Sequence, residues 1–320
     1  MNSSSYPKRK IGDFEFNAIG FGAMGLSAFY GSVGDDEERF KVLDRAYELG
    51  CRHWDTARAY ADSESLIGKW FTRNPDKRAD IFLATKFGLT ADLGACGTAD
   101  FLRASIEESL KNLKTDYVDL LYQHRVDPQT PIEVTVRELA KLVKEGKVRY
   151  IGLSECSSAS LRRAHVVHPI AAIEVEYSPF ILDIENPKIG LLQTARELGV
   201  KIVAYSPMGR GILTGQYQEC FPKILQIAEG LKNIGVNHNN ATAGQIALAW
   251  LLQQGDDIIP IPGTKHIKYL EENIAAAKIA LSAEEVKTIR RLIDEAGIPS
   301  AVARYPEAIL HLLFADSPSE

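Results

Sequence analysis

Short runs of consecutive apolar residues alternate along this chain with longer stretches in which apolar residues recur every three or four positions. The runs are "IGFGAM", "CRHWDT", "IFLATKFG", "YVDLLYQHR", "VRYIGLS", "IAAIEVEYS", "KIVAYSP" and "DIIPIPG". Between them lie helix-period stretches such as "DDEERFKVLDRAYELG", "SESLIGKWFTR", "ADFLRASIEESLKNL", "TPIEVTVRELAKLVKEGK", "TAGQIALAWLLQQG" and "KHIKYLEENIAAAK". Punctuation supports the helices. The first opens with acids and runs out at Gly50, Thr130 stands as a cap before Pro131, and Ser282 with Glu285 forms a capping box ahead of one further helix. Before the first run, "RKIGDFEFNAI" alternates about Gly12-Asp13 and predicts a hairpin. Eight short strands, each followed by a helix, predict an α/β fold with a parallel sheet, closed as a (β/α)8 TIM barrel. The expected architecture is one domain over 1–320, with an N-terminal β-hairpin and an additional C-terminal helix.

Composition narrows the function. The chain has 320 residues, 45% of them hydrophobic, with a net charge of −5, so no basic footprint suggests nucleic acid or an anionic membrane. Its four cysteines, Cys51, Cys96, Cys156 and Cys220, show no C-x-x-C spacing and fit a reducing compartment. The opening "MNSSSYPKRKIG" has no apolar signal core, and no apolar run is long enough to span a bilayer. A cytoplasmic enzyme or binding protein is the expectation, with its oligomeric state open.

The barrel reading directs attention to the C-terminal ends of the strands, where such folds carry their chemistry. "GFGAMG", Gly20 to Gly25, matches a dinucleotide fingerprint, but no helix opens at its third glycine. These glycines read instead as a loop with close backbone approach. The second barrel strand ends at Asp55, with Tyr60 in the loop after it, the third at Lys86 and the fourth at His124. Three neighbouring strands thus bring a carboxylate, a phenol, an ammonium and an imidazole to one rim. A phenol titrates near 10 when unperturbed, and an adjacent ammonium lowers that value. Asp55 is expected to hold Lys86 charged, leaving Tyr60 as a tunable proton donor with His124 as a second donor to the same oxygen. Carbonyl reduction needs such a donor and a hydride source.

"WDTARAY", "ATKFG", "LLYQHR", "YIGLSE", "VEYSPF", "VAYSPMGRGILTG" and "IPGTKHIKYLEEN" resemble, in order and over nearly the whole chain, the motif series of the aldo-keto reductases. The series is most similar to fungal and plant reductases of pyridoxal and other aldehydes, related to the potassium-channel β-subunits. The resemblance implies a (β/α)8 barrel that uses NADPH/NADP+, without metal, on a small carbonyl substrate. Carried over, Asp55, Tyr60, Lys86 and His124 are the catalytic set. Ser154 and Glu174 hold the nicotinamide amide, while Tyr205 stacks on its ring. Ser206, Pro207, Met208, Gly209, Gly211 and Leu213 pass the pyrophosphate. Gly263, Thr264 and Lys265 receive the 2′-phosphate, with Glu272 and Asn273 on the adenine. Gly22, Ala23 and Met24 lie beside the cofactor, as does Asp55.

Three departures are visible. Glu174 stands where many members have glutamine, and Tyr269 where many place arginine or glutamine. The stretch after Thr214 runs directly into helix-like sequence where close relatives carry a longer covering segment, so looser cofactor retention is expected. Met24, Phe29, Phe87 and Arg125 are candidates for the substrate wall. "HVVH", His165 to His168, could ligate metal but sits where a helix ends and histidines suit the dipole. The rival expectation is a cofactor-sensing regulatory subunit with little turnover.

Overall fold

The computed structural model describes residues 6–28, 31–209, 211, 222–297 and 310–320. Leu213, Phe29 and the stretch after Thr214, including Cys220, lie outside the described residues. Two strands, β1 (Lys8–Ile11) and β2 (Phe14–Asn17), pair antiparallel across the expected turn. Eight parallel strands follow: β3 (Phe21–Gly22), β4 (His53–Asp55), β5 (Phe82–Phe87), β6 (Val118–Gln123), β7 (Val148–Ser154), β8 (Ile170–Glu176), β9 (Lys201–Tyr205) and β10 (Ile258–Pro260). Each pairs with its sequence neighbour. Gly20 N donates to Pro260 O (2.9 Å) and Gly22 N to Pro262 O (3.3 Å), joining the first barrel strand to the last. The fold is the (β/α)8 barrel that the alternation predicts.

The helices lie between the strands as α1 (Asp36–Glu48), α2 (Ser63–Arg73), α3 (Ala99–Leu113), α4 (Ile132–Lys144), α5 (Ser158–Val167) and α6 (Leu191–Leu198). After β9 come two, α7 (Pro222–Val236) and α8 (Ala243–Leu252). Last are α9 (Ile267–Ala275) and α10 (Ala283–Ala296), the latter opened by the Ser282–Glu285 capping box. Among the described residues no helix is long and apolar enough to cross a membrane. Thr130 is not the cap of α4: Pro131 holds that position and makes no side-chain cap. The free backbone N–H of Ile132 instead donates to Ser317 Oγ (2.6 Å), from the C-terminal tail. A distant serine has taken the work that local sequence assigned to Thr130.

Strand periodicity sorts the core into two parts. Phe82, Ala84, Leu120, Tyr122, Ala172, Val203 and Ile259 point into the barrel and meet Ile11 and Phe16 of the hairpin, which plugs the N-terminal end. Leu83, Leu121, Ile151, Ile173 and Ile202 point outward against the helices. The same alternation corrects one expectation: Phe87 follows the inward Lys86, so it packs in the outer layer and does not line the mouth.

His53 lies inside the plug, 4.9 Å from the Phe16 ring and 5.4 Å from Phe82, and neither ring nitrogen has a hydrogen-bond partner among the described residues. Burial, with the Lys86 cation as second cause, pushes its pKa down to about 3. The folded chain therefore refuses a proton that the unfolded chain takes up near pH 6.5, and stability falls as pH drops below that value. His53→Leu should remove a loss of about 2 kcal/mol between pH 7.5 and pH 5. Urea unfolding at the two pH values checks this; equal acid sensitivity in both proteins would refute it.

Candidate active site

Inward positions at the strand ends build the site. On β4 the order is His53 inward, Trp54 outward, Asp55 inward; on β5 Lys86 follows Ala84; on β8 Glu174 follows Ala172. These three side chains meet. Lys86 Nζ donates to Asp55 Oδ1 and to Thr56 O (3.0 Å), and lies 3.2 Å from Glu174 Oε2. The Lys86 side chain is 0% exposed, that of Asp55 2% and that of Glu174 4%. A buried ammonium is tolerable only with such partners. Although burial opposes its charge, the two carboxyls raise the Lys86 pKa above its ordinary value, so it stays charged. The pairing with Glu174 was not foreseen from the sequence.

Tyr60 enters from the loop after β4, where its N–H closes a turn on Ala57 O (3.0 Å). Its ring is partly exposed at the mouth and stands edge-on to His124, 5.7 Å between centroids, with Lys86 Nζ 5.1 Å from the ring centre. The expected depression of its pKa is not found. Burial outweighs the Lys86 cation, with Glu174 and Asp55 opposing that cation as well, and the phenol is pushed up to about 12. Tyr60 therefore holds its proton at neutral pH. His124 is neutral too, its pKa driven down by burial and then by Arg125 and Lys86. A neutral imidazole keeps one N–H to donate. Arg125 donates to His124 O (2.8 Å) and Ser154 Oγ (3.2 Å), which ties the fourth strand end to the fifth.

The next strands extend the rim. Ser154 and Glu174 are register partners on β7 and β8. Tyr205 ends β9 and donates from its hydroxyl to Glu155 Oε1 (2.8 Å). Glu155 is a residue the sequence reading passed over. It is buried, sits at φ +51°, and its carboxylate also accepts from Glu176 N (3.0 Å). The available signal was its place directly after Ser154 in "YIGLSE". The Cβ of an ordinary residue disfavours that dihedral, and the strand is held from outside: Ala315 of the tail donates to Glu155 O (3.1 Å) and accepts from Ser157 N (3.0 Å).

Further round, Ser206, Pro207, Met208 and Gly209 form a tight turn closed by Gly209 N to Ser206 O (2.8 Å), and Gly211 N returns to Met208 O (3.1 Å). Gly209 has φ +57°, and a Cβ there would lie 1.9 Å from the Phe180 ring. Gly22 and Gly263 face each other: a Cβ on Gly22 would come 2.8 Å from Ile261 O, and one on Gly263 2.7 Å from Gly22 O. Ala23 and Met24 continue from Gly22 as a short 3-10 turn. Beyond Gly263, Thr264 Oγ1 accepts from His266 N (3.1 Å), and Lys265 Nζ reaches Ser32 O (3.1 Å). Helix α9 then starts with no side-chain cap. On it Glu272 lies near Lys268, and buried Asn273 leaves Nδ2 without a partner among the described residues. Glycine-walled turns, an uncapped helix start beside a lysine and an unpartnered buried amide suit a long phosphate-bearing ligand. Of the expected residues, Asp55, Lys86 and Glu174 meet in one buried cluster beside Tyr60, which faces His124; Ser154 is the register partner of Glu174, and Gly22 faces Gly263. His165 and His168 lie elsewhere, near the end of α5, where His165 Nδ1 accepts from Ile170 N (3.2 Å).

Comparison with known proteins agrees with this fold. The family model described as "Aldo/keto reductase family" matches residues 18–294. Aldo-keto reductase str7 of Strobilurus tenacellus is 57% identical over 317 residues, spanning 92% of this chain and 94% of the relative. Aldo-keto reductase yakc [NADP(+)] of Schizosaccharomyces pombe is 45% identical, spanning 98% of each chain. A solved aldo-keto reductase from Klebsiella pneumoniae in complex with NADPH superposes with a TM-score of 0.76 at 25% identity, spanning 90% of this chain and 95% of the other.

Proposed function

The chain belongs to the aldo/keto reductase family, and on that premise we propose that it reduces aldehydes, and ketones as a second class, at the expense of NADPH, with Tyr60 as the proton donor. A reduced nicotinamide, when bound, supplies the hydride that goes to the carbonyl carbon. The observation that carries the reading is the Lys86 ammonium, buried with Asp55 next to the Tyr60 ring. Tyr60 and His124 present one O–H and one N–H to the substrate oxygen. As negative charge grows on that oxygen, the Tyr60 proton moves to it, because an alkoxide is a far stronger base than a phenolate. The phenolate left behind is stabilised by Lys86, which Asp55 keeps in place.

The remaining rim residues are assigned to the cofactor. Ser154 and Glu174 take the carboxamide and Tyr205 the ring face. Ser206 to Gly211 pass the pyrophosphate, and Gly263 to Lys265 with the start of α9 receive the 2′-phosphate. NADPH oxidation followed across an aldehyde panel, with the alcohol quantified, tests the activity. Alcohol formed in step with NADPH consumed supports it. Tight NADPH binding with negligible turnover on every aldehyde would point instead to a cofactor-sensing subunit. Cofactor choice gives a second check. A charge-assisted contact to phosphate is worth about 1.5–3 kcal/mol, so Lys265→Ala should weaken NADPH binding roughly tenfold or more and leave NADH nearly unchanged. Equal losses for both cofactors would remove Lys265 from the phosphate site.

A further inference from the structure

Three strands deliver one ionisable group each to a single dry layer: Asp55 from β4, Lys86 from β5 and Glu174 from β8. The charges do not balance. Among the described residues one ammonium faces two carboxyls, and with both ionised a net negative charge would be sealed in a cage that water barely reaches. The hydrogen bonds do not balance either. Lys86 gives two of its N–H groups to Asp55 Oδ1 and Thr56 O and has the third for Glu174, 3.2 Å away, against four carboxylate oxygens in the layer. Asp55 Oδ2 is buried without a donor among the described residues, and the Lys86 ammonium at 3.2 Å is the one donor near Glu174 Oε2 among them. The two carboxyls converge on the same ammonium nitrogen. One proton cures both deficits.

We propose that Asp55 and Glu174 share a single proton beside Lys86, and that Glu174 is thereby a positioning residue whose proton sets how readily Tyr60 gives up its own. This rests on the assignment of Tyr60 as proton donor. A neutral Glu174 leaves Lys86 paired one-to-one with Asp55 and its field free to stabilise the Tyr60 phenolate. Loss of the shared proton adds a negative charge to the same layer, which makes the phenol harder to ionise. The other titratable groups facing the layer do not supply the balance. The Tyr122 phenol from β6 is held protonated by burial and by Glu174 and Asp55; His124 is held neutral by burial, Arg125 and Lys86; and Tyr60 retains its proton. Burial first, and the Asp55 charge second, push Glu174 up to about 8, while burial raises Asp55 above its ordinary range. A glutamine at this position would fill the same space without titrating.

Infrared difference spectroscopy on the cofactor-free protein reads the proton directly. Wild type should show a protonated-carboxyl band at neutral pH that titrates away above about pH 8, and Glu174→Gln should lack it. A band that persists in Glu174→Gln, or none in wild type, overturns the shared proton whether or not the protein turns over. The kinetic arm follows kcat for aldehyde reduction at saturating NADPH from pH 6.5 to 9.5. Wild type should slow roughly three- to tenfold across that range, while Glu174→Gln stays flat with little change in KM. Identical pH profiles for the two proteins would overturn the coupling to Tyr60.

Discussion

Replacing Lys86 with methionine is expected to lower aldehyde reduction by about 10²- to 10⁴-fold and to destabilise the fold in a pH-dependent way. Both effects arise because, among the described residues, Lys86 is the one cation paired with the buried Asp55 and Glu174. Methionine matches the length of the stem but leaves the carboxyls without their counter-charge and the Tyr60 phenolate without its stabiliser. Removing one partner of a buried pair costs about 3–5 kcal/mol when the other must stay charged. Asp55 and Glu174 can escape part of that cost by taking up protons. Their folded pKa values would then lie further above their unfolded ones, so the variant's stability is greatest at low pH and is lost as pH rises through the folded values. Urea unfolding should therefore show a small deficit at pH 5 and a deficit of several kcal/mol at pH 8. A deficit that is equal at both pH values would mean that the carboxyls do not depend on Lys86.

The strand ends were readable because each is marked locally. An apolar run stops on Asp55, Lys86 or His124, and the barrel needs no more than chain order to bring neighbouring ends together. The hairpin at Gly12 and the capping box at Ser282 were legible for the same reason: both are short-range. What escaped is what only the closed barrel creates. Glu174 meets Lys86 across the interior, with two strands, β6 and β7, between β5 and β8, and no pattern or spacing in the sequence announces the contact. Glu155 looked like one more residue of a motif, and its part in holding Tyr205 depends on a left-handed backbone angle and on a distant tail segment at Ala315. Thr130 fits every local rule for a cap, yet Ser317 performs that function. The rise of the Tyr60 pKa is the same lesson in electrostatics. Sequence shows that a lysine is near, but the depth at which the pair is buried decides the sign.

Tyr60→Phe should separate chemistry from binding more cleanly than any other change. It removes one oxygen and leaves the ring that packs edge-on to His124. Without the phenol the substrate oxygen keeps the neutral His124 as its donor, and burial, Arg125 and Lys86 keep that ring from taking up the second proton that would make it an acid. Hydride delivery would then build an alkoxide with no proton to meet it, so turnover should fall by about a hundredfold or more. NADPH affinity should stay within about twofold, since the lost hydroxyl contributes to the transition state and not to ground-state binding. The direct measurement is a single-turnover reaction: wild type and Tyr60→Phe, each saturated with NADPH and shown by fluorescence titration to bind it equally, are mixed with an aldehyde that wild type reduces. Loss of NADPH absorbance slowed by about two orders of magnitude in the variant is the result predicted for a Tyr60 proton donor; a rate within a few-fold of wild type would contradict it.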